Sequence, residues 1–104
     1  MSPLPYRFHP AAEAEFYAAI DWYAARDANA AADFAAPVQH AVQLIVELPQ
    51  AWPTWPGRED LRVRVLARFP FSIIYTVEAG AMVVVAVAHH RRRPGYWLRR
   101  TSRS

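Results

Sequence analysis

Hydrophobic and polar positions follow three rhythms along this chain. Residues 81–88 (AMVVVAVA) are an unbroken apolar run with four valines and no clean period, the pattern of a strand buried on both faces. Residues 61–67 (LRVRVLA) alternate strictly, with Leu61, Val63, Val65 and Ala67 on one side and Arg62 and Arg64 on the other, which predicts a half-buried strand. Between them, residues 71–77 (FSIIYTV) form a strand by composition, and Glu78, Ala79 and Gly80 turn it back into the valine run as an antiparallel hairpin. Upstream the period changes. Ala12, Phe16, Ala19, Ile20 and Tyr23 recur at helical spacing within residues 11–26, and Phe34, Val38, Ala41, Val42, Ile45 and Leu48 do so after a polar break at residues 27–29. These segments predict two helices in an antiparallel hairpin. Pro37 either kinks the second helix or lies in the first turn of its regular part, near Ala36. A short edge strand over residues 4–9, bounded by Pro5 and Pro10, precedes them.

The expected fold is therefore α+β, a helical hairpin packed on one face of a small, mainly antiparallel sheet, in the order strand, helix, helix, then three strands. The other face would stay open and carry Arg62 and Arg64. Residues 50–60 (QAWPTWPGRED) read as a structured loop whose Trp52 and Trp55 cap the core, and Tyr75 reads as core. At 104 residues the chain has room for one hydrophobic core, so a single domain spanning residues 1–104 is expected, with 98–104 a frayed tail.

Composition adds charge. The net charge of +3 comes from twelve arginines with no lysine, and arginine's rigid fork suits phosphate and carboxylate alike. An anionic partner follows, without a choice between nucleic acid and protein. There is no cysteine, hence no disulfide framework and no thiolate metal site. Residues 1–10 lack the apolar core of a signal peptide, and the longest apolar run is too short to span a bilayer. A soluble, cytoplasmic protein without a membrane partner is expected.

The chemistry gathers where the valine run ends. His89, His90, Arg91, Arg92 and Arg93 follow it at once, then Pro94, Gly95, Tyr96 and Trp97, so a central strand would deliver cations and aromatics to the rim of the sheet. Successive strand residues point to opposite faces, so the two histidines are poorly placed to share an ion, and no metal site is expected. Either could instead be a structural histidine. Arg62 and Arg64 could be the solvated side of an edge strand kept polar against aggregation. Tyr96 and Trp97 could anchor the C-terminus on the sheet.

The run from Arg68 to Tyr75 (RFPFSIIY), the ending Ala86-Val87-Ala88-His89 followed by arginines, the proline and acidic residues opening the first helix, Trp22-Tyr23 and Pro49 together resemble the RelE/ParE family of toxins from type II toxin-antitoxin modules. The resemblance covers most of the chain. It implies a small toxin neutralised by a cognate antitoxin, which wraps an extended, partly helical segment around it, with operator DNA reached only through the antitoxin. RelE-like members resemble ribosome-dependent mRNA endonucleases. On that reading the candidates for catalysis are Arg62, Arg64, His90, Arg91 and Tyr96, while Ser72 stands where those enzymes carry a further arginine. Losing a cation from a site that acts electrostatically costs transition-state stabilisation. ParE-like members poison DNA gyrase, and His89 followed by Arg91-Arg92 is more similar to their ending. The resemblance therefore points to a gyrase-binding toxin without a cofactor, its target- or antitoxin-binding surface comprising Arg62, Arg64, His89, Arg91, Arg92, Arg93, Tyr96 and Trp97. The alternatives are the endoribonuclease acting with ribosome and mRNA, and a non-toxic nucleic-acid or partner-binding module.

Overall fold

The computed structural model describes residues 3–101. Its elements are β1 (Tyr6–Phe8), α1 (Pro10–Ala24), α2 (Ala30–Glu47), β2 (Thr54–Trp55), β3 (Arg58–Val65), β4 (Phe71–Glu78), β5 (Ala81–His89) and a short 3-10 turn, Leu98–Arg100. They make one five-stranded sheet in the order β1-β5-β4-β3-β2. Only the β1–β5 pair is parallel among the described residues. Among the described residues no helix is long and apolar enough to cross a membrane.

Local chemistry sets the element ends. The His9 ring accepts the Ala11 amide and Pro10 occupies the first turn, where a missing N–H costs nothing. In the connection, Asp27 accepts the Asn29 amide at 2.7 Å. α2 runs unbroken through Pro37, so of the two alternatives for that residue the regular helix does not begin at Ala36. Ala79 and Gly80 both take positive φ, 50° and 78°, between the paired residues Glu78 and Ala81. This is a two-residue turn of the kind whose twist suits a hairpin. Two strand boundaries move. Residues 54–55, expected in a loop, pair with β3, and β3 starts at Arg58 and ends at Val65 rather than running from 61 to 67.

The helices bury Ala12, Phe16, Ala19, Phe34, Val38, Ala41, Val42 and Ile45 against Phe71, Ile73, Tyr75, Met82, Val84 and Val87 of the sheet. Phe34, fully buried, has four aromatic neighbours (Phe16, Tyr23, Phe69 and Phe71) with ring centroids 5.0–6.0 Å away. Close packing of this kind accounts for most helix stability.

The opposite face is not open. Leu61, Ile74, Val85, Ala86 and Ala88 form a second core roofed by Trp97, which is 1% exposed and meets Trp55 edge-on at 4.9 Å. Leu98–Arg100 is ordered as the 3-10 turn where a frayed tail was expected, and residues 102–104 of that tail lie outside the described residues. Because Leu61 and Val63 serve this second core, Arg62 and Arg64 fall on the helix side. They pair across the strands with Tyr75 and Ile73, and directly opposed residues share a face. The expected arginine-lined open face is thereby corrected.

β5 holds one more departure. Ile74 opposes Ala86 but Tyr75 opposes Val84, so Val85 is an extra residue, a β-bulge. Val85 and Ala86 both join the second core, while Met82, Val84 and Val87 face the helices. The irregular period of the valine run reflects this bulge as well as burial on both faces.

Candidate functional site

The end of β5 and the turn after it place three arginines at the surface. Arg91, Arg92 and Arg93 are all exposed. The Arg91 amide donates to His89 Nδ1 at 3.0 Å, and the Arg92 guanidinium lies over the Tyr96 ring at 3.9 Å. Beside them a groove of about 740 Å³ opens between α1 and the sheet. Ala18, Ala19, Trp22 and Tyr23 form one wall, Phe71, Val87 and His89 the other, and His90, Arg91 and Arg92 the rim. Trp22 is 52% exposed, with the Arg26 guanidinium 3.3 Å from its ring centroid. An apolar trough edged by guanidinium groups suits a surface bearing carboxylates or phosphates next to apolar side chains.

The two histidines have separate environments. His89 stacks edge-on against Phe71 at 4.9 Å, and burial, then the nearby charges of Arg91 and His90, lower its pKa from the usual value, which favours the neutral ring. His90 is exposed. Its Nε2 shares a 2.9 Å hydrogen bond with the buried Ser72 hydroxyl, and its amide donates to Pro70. Among the described residues no group of three or more His, Cys, Asp or Glu could hold a metal ion.

Tyr96 is half-buried and donates its hydroxyl to Glu15. Burial, followed by that bond and the carboxylate's charge, pushes the phenol up to about 12. Arg100 grips the same carboxylate at 2.8 and 2.9 Å and also donates to the Val85 carbonyl, while Glu15 accepts the Val87 amide at 3.0 Å. Bonding to Glu15 raises the Arg100 pKa further.

The remaining predicted residues stand elsewhere. Arg62 donates to the Trp52 carbonyl at 2.6 Å, and Arg64 lies over the Trp52 ring at 4.6 Å with its Nε buried and unpartnered. Tyr75 closes this corner by donating to the Pro49 carbonyl, and burial raises its pKa to about 12. Arg62 and Arg64 sit on β3, whereas Tyr96 lies beyond the far edge of β5, with β4 and β5 between them. Strand spacing alone separates β3 from β5 by about 10 Å. The five candidates for catalysis are thus not brought together. Trp97, expected on a binding surface, is core.

Glu15 and Arg100 were not among the predicted residues. Glu15 carried a signal: it follows Ala12 by three residues and precedes Ala19 by four, so it lies within the apolar stripe of α1. A carboxylate there requires a partner. Arg100 had none, because nothing local distinguishes it from the other C-terminal arginines.

A two-helix layer on a five-stranded sheet, with a basic rim where β5 ends, defines a small α+β module that presents cations beside an apolar groove. Residues 6–94 match the family described as ParE toxin of type II toxin-antitoxin system, parDE, and the chain belongs to that family. Its fold is similar to a solved structure titled "Chromosomal ParDE TA system from P. aeruginosa", with a TM-score of 0.71, 17% identity, and coverage of 83% of this chain and 95% of that one. No curated protein sequence matches.

Proposed function

We propose that this ParE-family chain is a toxin that inhibits DNA gyrase by binding it in the cytoplasm, and that a cognate antitoxin neutralises it by covering the same cationic surface. One observation carries the reading: Arg91, Arg92 and Arg93 are exposed together at the end of β5, beside an apolar groove. Acid–base cleavage of RNA needs a proton acceptor and donor within hydrogen-bond reach of one another's substrate atoms. Here the Tyr96 hydroxyl is engaged by Glu15, Arg62 and Arg64 surround Trp52, and Ser72 bonds His90. Those engagements favour a binding role over the endoribonuclease reading. The net charge of +3 suits an acidic antitoxin, and operator DNA would be reached only through that partner.

The test is gyrase-catalysed supercoiling with purified protein. The triple variant R91A/R92A/R93A loses inhibition by at least about tenfold while its melting point stays within a degree or two, as exposed positions allow. Supercoiling that proceeds untouched by the wild-type protein, with messenger RNA cut in the ribosomal A site, would establish the endoribonuclease instead. Growth unaffected by expression would leave the non-toxic binding module.

A further inference from the structure

β1 ends at Phe8, and its last ladder contact is the His9 amide on the Val84 carbonyl. Past that point the outer margin of β5 has no strand beside it among the described residues, yet the Val85 carbonyl and the Val87 amide point there. Side chains take the strand's place. Glu15 Oε1 accepts from the Val87 amide and from Arg100 Nη1, Oε2 accepts from the Tyr96 hydroxyl and Arg100 Nη2, and Arg100 Nη1 also donates to Val85. A carboxylate has about four acceptor sites, and all are taken. The partners are 72, 81 and 85 residues from Glu15 in sequence, so one carboxylate on α1 joins β5 to the C-terminal segment.

That node reaches the rim. The Tyr96 ring, fixed by its hydroxyl, is the face on which the Arg92 guanidinium rests at 3.9 Å. We propose that Glu15 is a positioning residue for the arginine rim: it closes the unpaired margin of β5 in place of a strand and, through Tyr96, sets where Arg92 stands. A carboxylate kept for stability alone would be satisfied by Arg100 and the Val87 amide. The phenol adds a link whose other end is Arg92. In its effect on activity the inference rests on the gyrase reading; in its geometry it does not.

The experiment compares purified wild-type protein with Glu15→Gln, Tyr96→Phe and, as a control on the exposed side of the same helix, Glu13→Gln. In wild-type protein and the control, Arg92 side-chain NMR signals are shifted upfield by the Tyr96 ring current. In Glu15→Gln and Tyr96→Phe most of that shift disappears, and trypsin cuts after Arg99 and Arg100 at least about tenfold faster through local opening. A folded Glu15→Gln protein with wild-type Arg92 shifts and wild-type cleavage overturns the proposal. Should Glu15→Gln not fold, Tyr96→Phe decides in the same way, since it removes a single oxygen atom. In gyrase inhibition, Glu15→Gln adds no further loss on an Arg92→Ala background, whereas additive losses would show that Glu15 acts independently of Arg92. Wild-type protein inert toward gyrase would defeat the toxin mechanism proposed above, and the NMR and cleavage results would still decide this one.

Discussion

The two faces of the sheet are covered in unlike ways. On one, α1 and α2 bring a broad apolar layer centred on Phe34 and its four aromatic neighbours. On the other, residues 94–101 lay down a single indole, Trp97, against Trp55, Leu61 and Ile74. The helical face makes the fold. The thin cover on the second face is continuous with the turn at Arg91–Arg93, so a change there can disturb the rim before it disturbs folding.

Phe34→Ala breaks the helical face and has the largest expected effect, a loss of about 3–5 kcal/mol from a domain whose total stability is about 5–15 kcal/mol. Urea denaturation checks it. Trp97→Ala should cost about 3 kcal/mol, at the low end for such truncations, because the half-buried neighbours Trp55 and Leu98 can close part of the space. Its distinguishing mark is lost near-UV circular dichroism from the Trp55–Trp97 pair with the far-UV helical signal retained. If both signals fall together, the second cover is as integral as the first and the contrast fails.

Ala79→Asn tests the turn that both faces share. Ala79 takes φ 50°, a region that costs a residue with a side chain about 1–2 kcal/mol and that asparagine tolerates better. The variant should gain up to about 1 kcal/mol, seen as a higher melting point with neither core signal altered.

His89 gives the smallest effect, and its sign follows from its lowered pKa. The fold favours the neutral imidazole, so the contribution is complete above the ordinary value of 6.5 and declines as pH falls below it, where the unfolded chain takes up the proton first. Denaturation between pH 7 and pH 5 should show a shallower decline in His89→Gln than in the wild type. An identical pH dependence would mean that the groove side of β5 is as open to solvent as the rim.

Much of this was legible in the sequence. Both helices, the hairpin through Ala79 and Gly80, a buried valine strand and the exposed arginines could be read from the local pattern, because each is specified by neighbours a few residues apart; the valine strand lies second from the sheet edge, with β4 at the centre. The orientation of Arg62 and Arg64 could not. Strict alternation reveals that Leu61 and Val63 face one way, but it does not reveal which side the helices take when both sides are covered. The second cover was legible only as one of two alternatives, Trp97 anchoring the C-terminus on the sheet or lying on a binding surface, since its partners Trp55 and Leu61 meet it only in the folded chain. The two-residue strand at Thr54–Trp55 is too short to show a period, and its two prolines in residues 53–56 read as loop. Among the site residues, Arg91–Arg93 stand at the rim as expected, whereas Tyr96 is taken up by a carboxylate that no local pattern linked to it.

The supernumerary residue at Val85 has an effect at the far end of its strand. Side chains along a ribbon take turns, and one extra member swaps the turn of everyone after it. With it, His89 looks into the groove beside Phe71, leaving His90 to reach Ser72. Were the same residues to alternate strictly, with no bulge at Val85, the two imidazoles would trade places, so the identity of the ring that greets a ligand is decided four residues upstream, inside the core.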